Sequence, residues 1–176
     1  MALDVDVDAT RVVGEWVRHA PHRSSLVGRA AEATDGRWQH GSVVRGLYLA
    51  DEPATATAEW YRFLAERGLP PARAIPHDHH VWRMRLELAD LSTADRLAAV
   101  GLALPRPSRR TWPPFQDVGD AIWRAGWAGL LAPSAARPES LIVCVFDRGQ
   151  WPPAGCAPVR VDEISDVPAP PTGMTT

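Results

Sequence analysis

The chain has 176 residues, of which 45% are hydrophobic and 23% charged, and its formal net charge is −2. That length suits one domain with a sizeable core, and the near-neutral balance excludes a global basic field that would draw the protein to nucleic acid. All 19 basic residues are arginine, which excludes Schiff-base catalysis by lysine and supplies the planar fork that grips phosphate and carboxylate.

In chain order, residues 1–10 read as a loose segment or a short edge strand. Asp4, Asp6 and Asp8 alternate there with valine, but the glycine and distal glutamate of a calcium loop are missing, so no metal is expected. The domain proper is expected over 11–165. Strand-like runs at 15–19 and 43–50 precede a helix over 53–67. Pro53 suits a first helical position, and Asp51 and Glu52 favour the positive helix start. Pro76-His77-Asp78-His79-His80 reads as a solvated polar loop leading into a strand over 80–88, because no second ligand group lies at zinc spacing. Ser92 with Asp95 resembles a capping pair for a helix over 93–100. A third helix is expected over 115–125, stopped by Gly126. Strands follow at 129–132, 141–146 and 158–162, and the proline-rich residues 166–176 read as a disordered tail. Strands and helices mix without regular alternation. The expected fold is therefore α+β (mixed), a single domain with a small mixed sheet and flanking helices, rather than a doubly wound sheet.

Several common chemistries are absent. There is no GxGxxG, no phosphate-loop motif, no GxSxG elbow and no HExxH. Cys144 and Cys156 form no CxxC pair, and Cys144 lies in an apolar run that predicts burial. No basic start leads into an apolar run, and no apolar segment approaches membrane-spanning length. A cytoplasmic location without membrane contact is expected. The eight tryptophans are scattered, as core or pocket-wall residues would be.

Gly36-Arg37-Trp38-Gln39 follows a loop of small and polar residues, and Gly46-Leu47-Tyr48-Leu49-Ala50 reads as a strand. Glu59 lies eleven residues after Tyr48. Upstream stands Trp16-Val17-Arg18-His19, and downstream a helix opening at Phe115-Gln116-Asp117 leads to Ala132-Pro133-Ser134-Ala135. Taken singly, each of these residues has a structural reading. Glu59 flanks an apolar helix face and could pair with Arg62. Arg18 would be a surface strand residue, Arg37 a turn residue, Tyr48 core, and Ser134 a turn or cap residue after Pro133. As an ordered set they resemble the RES-domain family, named for its Arg, Glu and Ser, from about residue 14 to about residue 148. Gln39, where that family often has asparagine, and Val17, where it often has an aromatic residue, are departures.

The resemblance implies a fold like the ADP-ribosyltransferase core and an NAD+-consuming toxin of a bacterial toxin–antitoxin pair. It implies cleavage of the nicotinamide–ribose bond by phosphorolysis or hydrolysis, with NAD+ as substrate and inorganic phosphate as a candidate co-substrate. No bound cofactor or metal is implied. ADP-ribosyl transfer to a protein, and an inactive binding module of the same fold, stay open as alternatives. An Xre-like helix-turn-helix antitoxin is the implied partner, and no helix of this chain reads as DNA-binding. Arg18, Arg37 and Glu59 form the implied catalytic set, with Tyr48 and Ser134 binding substrate. The residue types suit the chemistry: Arg18 and Arg37 on phosphates, Tyr48 against nicotinamide, Glu59 on the ribose as positive charge builds, and Ser134 as a hydrogen-bonding anchor.

Overall fold

A computed structural model describes residues 6–29 and 31–175, so Asp4 lies outside the described residues. Two long strands dominate: β1 (Ala9–Pro21) lies antiparallel to a later strand, His77–Asp90, along its whole length, from Ala9 opposite Ala89 to Pro21 opposite His77. Between them come β2 (Gly46–Ala50) and α1 (Pro53–Ala65); His77–Asp90 is then β3, followed by α2 (Ala94–Ala99), α3 (Trp112–Arg124), β4 (Gly129–Pro133), β5 (Leu141–Phe146) and β6 (Cys156–Ile164). This is the mixed α+β domain that the sequence predicts.

The strand order is β1-β2-β5-β4-β3-β6, with β1 also paired to β3. One end of β3 pairs parallel with β4 at Ala89 and Asp90, and the other pairs antiparallel with β6. The pairings β1-β2-β5-β4-β3 thus close a circuit. Side chains alternate across each strand. Trp16, Leu47, Leu49, Trp82, Met84 and Val143 pack as one cluster. Val17, Ala50, Val81, Leu130 and Cys144 point the other way and pack with Ala56, Leu97 and Ile122 of the helices.

Several boundaries differ from the sequence expectation for identifiable reasons. Helix α1 starts at Pro53 as expected but stops at Ala65, because Gly68 adopts φ +62 and Leu69 N–H turns back to the Leu64 carbonyl at 3.0 Å. Thr93, not Ser92, caps α2: its hydroxyl accepts from the Arg96 amide at 3.3 Å. Helix α3 begins at Trp112 because Pro113 and Pro114 occupy the first turn, where missing N–H groups cost nothing. Gly126, at φ +99, does lie just past its end.

The histidine stretch is the largest correction. His77, Asp78, His79 and His80 form the start of β3, not a solvated loop, and are only 2–4% exposed. Their backbone is satisfied on both sides by β1 and β6. The rings pack as neutral aromatics: His77 stacks on Trp60 with centroids 4.3 Å apart. Asp78 accepts from the Arg23 amide at 2.7 Å and from His22 Nδ1 at 3.1 Å.

Two terminal expectations also change. Ala9 and Thr10 are already in β1, so the domain begins before residue 11. The proline-rich end is held in place: the Tyr61 hydroxyl donates to the Pro168 carbonyl, Arg137 Nε to the Thr172 carbonyl at 3.0 Å, and the Thr175 amide to the Ala136 carbonyl at 2.7 Å. Backbone carbonyls of a proline-rich segment remain good acceptors, which composition alone does not reveal. Among the described residues no helix is long and apolar enough to cross a membrane.

Candidate functional site

Strand β1 meets β2 at a single residue pair, Val17 opposite Ala50, and past it the two strands no longer pair. Arg18 and His19 from β1 and Gly46, Tyr48 and Leu49 from β2 line the resulting cavity of about 360 Å³, a size that suits a small-molecule site. Arg37 and Glu59 line it too. Ser134 is fully buried directly behind the wall, between lining residues Pro133 and Ala135. The structure therefore brings four of the five singled-out residues to one cavity and places the fifth against one of them.

Glu59 reaches the cavity from α1. The Ser134 hydroxyl donates to its Oε1 at 2.7 Å, and Arg62 Nε donates to its Oε2 at 2.7 Å. Arg62 also donates to Glu66, one helical turn on. Burial penalises the Arg62 charge, but Glu59 and Glu66 outweigh it and raise its pKa. The expected Glu59–Arg62 pair is thus present, and it fixes the carboxylate instead of competing with a site role. Ser134 likewise satisfies both readings: its Oγ accepts from the Ala136 and Arg137 amides at 3.2 and 3.0 Å as a turn residue, while its proton goes to Glu59.

Arg37 sits in the Gly36–Gln39 turn, closed by the Gly36 amide on the Gln39 carbonyl at 3.1 Å. Helix α3 holds this turn. Gln116 Nε2 donates to the Gly36 carbonyl at 2.9 Å, and Asp120 accepts from the His40 amide at 3.1 Å and its ring Nδ1 at 2.7 Å. A Cβ at Gly119 would overlap the Trp38 carbonyl, so glycine lets the helix come this close. Arg37 is 8% exposed and donates to the Arg106 carbonyl at 2.7 Å and Thr111 Oγ1 at 3.2 Å. Burial pushes its pKa down to about 10, so it stays cationic at neutral pH.

Tyr48 does more than fill core. Its hydroxyl accepts from the Trp38 amide at 2.9 Å and donates to Gln39 Oε1. Gln39 also donates from Nε2 to the Thr34 carbonyl at 3.0 Å. The glutamine that departs from the family pattern is therefore a fully bonded element of the turn. What Tyr48 leaves for the cavity is its ring. Burial raises its phenol well above the ordinary value.

Arg18 is half-buried opposite His80 in the ladder, and burial lowers its pKa. Its neighbour His19, not singled out from sequence, also lines the cavity and packs against Phe63 at 5.3 Å. Burial, then Arg18, push its pKa down to about 3. It is a neutral wall at physiological pH. Sequence reasoning also missed Gln116 and Asp120. Their spacing of four places two polar residues on one buried helix face, which was the available signal. Among the described residues no group of three or more His, Cys, Asp or Glu could hold a metal ion. The site can hold an anion at buried guanidiniums beside a fixed carboxylate.

The RES-domain family model matches residues 8–167. The NAD(+) phosphorylase MbcT of Mycobacterium bovis is 30% identical over 137 residues, which cover 74% of this chain and 72% of that protein. MbcT of Mycobacterium tuberculosis matches to the same extent. Among solved structures, the M. tuberculosis MbcT–MbcA toxin–antitoxin complex superposes with a TM-score of 0.73 at 23% identity, covering 89% of this chain and 87% of the other.

Proposed function

Because the chain belongs to the RES-domain family, we propose that it is an NAD+-degrading enzyme that breaks the nicotinamide–ribose bond in the cavity between β1 and β2. The observation that carries this reading is the Glu59 carboxylate at the cavity wall, with each oxygen accepting one donor, Ser134 Oγ and Arg62 Nε. Such a group acts as a fixed negative charge. Breaking the C1′–N bond sends its electron pair to the nicotinamide ring, which leaves neutral and needs no proton. Positive charge appears on the ribose instead, where a preorganised carboxylate stabilises it. The guanidiniums of half-buried Arg18 and buried Arg37 suit the pyrophosphate. The Tyr48 ring and the neutral His19 wall suit the nicotinamide.

The acceptor for C1′ is inorganic phosphate, giving an ADP-ribose phosphate. This finer assignment is supported by the phosphorylase activity named for MbcT at 30% identity. The biological setting is that of a cytoplasmic toxin restrained by a cognate antitoxin, by analogy with the MbcT–MbcA complex.

The test is to incubate purified, antitoxin-free protein with NAD+, with and without phosphate. Phosphate-dependent release of nicotinamide is expected. Release independent of phosphate would make the enzyme a glycohydrolase. Label passing from NAD+ to a protein band would favour ADP-ribosyl transfer. NAD+ left intact in both tubes by folded protein would sink the proposal.

A further inference from the structure

The cavity also has lining residues with no part in the chemistry above. Three of the eight tryptophans, Trp38, Trp112 and Trp151, are among them. Trp38 is 1% exposed and meets Phe115 edge-on at 5.1 Å, so it offers no free face. Trp151 is occupied as a clamp: its indole N–H donates to the Val27 carbonyl at 2.9 Å, fastening the neighbouring loop. Trp151 is half-buried and has the Arg29 guanidinium carbon 6.0 Å from its ring centre, but Trp112 differs in an indole N–H without a hydrogen-bond partner among the described residues and in a neighbouring cation, Arg37, that itself lines the cavity. Trp112 is likewise half-buried, at the first position of α3, and Pro113 and Pro114 stiffen the backbone just after it. The guanidinium carbons of Arg37 and Arg109 lie 6.0 and 5.1 Å from its ring centre. Arg37 also bonds Thr111, the residue before it.

We infer that Trp112 is a stacking platform for a neutral purine base, the adenine of an adenylate whose phosphate is held at Arg37. A rigid indole beside a phosphate-binding cation suits a nucleotide, because every base presents a π-face to an aromatic ring. The charge beside the ring decides which base sits there. Arg109 is paired with Glu66 at 3.6 Å, so Arg37 is the cation that would repel a positively charged nicotinamide ring there, whereas adenine is neutral and brings phosphates with it. The inference rests on the NAD+ reading for its choice of adenylate, and it assigns the half of the substrate that the bond-breaking residues do not contact.

The test compares AMP with ribose 5-phosphate, which keeps the phosphate and lacks the base, by calorimetry on the whole chain. Wild type should bind AMP more tightly. Trp112→Leu should weaken AMP by roughly 5- to 150-fold, the range for losing one stacked base, with ribose 5-phosphate much less affected. Trp112→Tyr should recover most of the loss. If the leucine variant does not fold, quenching of tryptophan fluorescence by AMP in wild type but not in Trp112→Tyr carries the same result. AMP affinity unchanged in the folded leucine variant, an equal loss for both ligands, quenching that persists in Trp112→Tyr, or a loss seen in Trp151→Leu instead would overturn the inference. A wild type that binds AMP through Trp112 but leaves NAD+ intact supports the platform and defeats the reaction. NAD+ turnover with kcat/KM unchanged by Trp112→Leu defeats the platform and keeps the reaction.

Discussion

The two edges of β1 are built from the same residues and do opposite things. Toward β3, every residue from Ala9 to Pro21 has a ladder partner. Toward β2, only Val17 does. The closed edge brings Trp16 opposite Trp82 and His19 opposite His79, and its interior is packed. The open edge leaves Arg18 and His19 beside a cavity. A sheet that closed on both sides would be more cohesive and would have no site. Rigidity on one edge is what allows charged groups to be held in fixed positions on the other.

The contrast can be broken from the closed side first. Trp82 is 1% exposed, and Trp82→Ala should cost about 3–5 kcal/mol in urea unfolding, the usual range for emptying such a site. A cost below about 1 kcal/mol would mean that the ladder, not the packing beneath it, carries the stability.

The histidines offer a second route. Burial first, then Arg18, push His19 down to about 3; burial first, then competition with the adjacent His77 ring for a proton, push His79 down to about 4; and burial also lowers His77 and His80. A depressed histidine is neutral in the fold and takes up a proton on unfolding. Its stabilising contribution is therefore complete above the ordinary value of 6.5 and is lost as pH falls toward the folded value. His19 and His79 should each make stability fall by about 1.4 kcal/mol per pH unit below that point. His79→Leu should reduce the steepness by about that amount between pH 6 and pH 5, measured by urea unfolding. Identical slopes in both proteins would contradict the assignment.

Smaller effects separate the two edges further. Ser134→Ala removes one hydrogen bond to Glu59 and two acceptor contacts from backbone amides. It should cost roughly 1–3 kcal/mol in stability and slow turnover by loosening the carboxylate. Turnover at the wild-type rate would show that Arg62 alone suffices to hold Glu59. Val13, on the outer face of β1, is 61% exposed. Val13→Thr should shift stability by no more than about 0.5 kcal/mol, and a larger shift would mean that this face is covered in solution.

The six strands and three helices were legible in order, because apolar alternation, Pro53 and Gly126 are local signals. The ordered set of Arg18, Arg37, Tyr48, Glu59 and Ser134 was legible as a family pattern, although each residue alone also had a structural reading. The structure reconciles the two. Ser134 is both a turn residue and the donor to Glu59, and Tyr48 both fastens the turn and lines the cavity. What stayed hidden depends on tertiary context. The histidine stretch looked solvated because its polarity is visible in sequence while Trp60, β1 and β6 around it are not. Trp112 was one of eight scattered tryptophans, and only its place on the cavity lining beside Arg37 and Arg109 distinguishes it. The proline-rich end was composition without partners until Tyr61, Arg137 and Ala136 supplied them.

The central claim is that Glu59 acts as a fixed negative charge beside a breaking nicotinamide–ribose bond. Proton NMR of nicotinamide release from NAD+, for wild type and for Glu59→Gln with a matching melting temperature, tests it most directly. The glutamine keeps the size and the hydrogen-bonding reach of the side chain but loses the charge, so release should slow by about 100- to 1,000-fold. Equal rates for the two proteins, or no nicotinamide from wild type, would contradict the account.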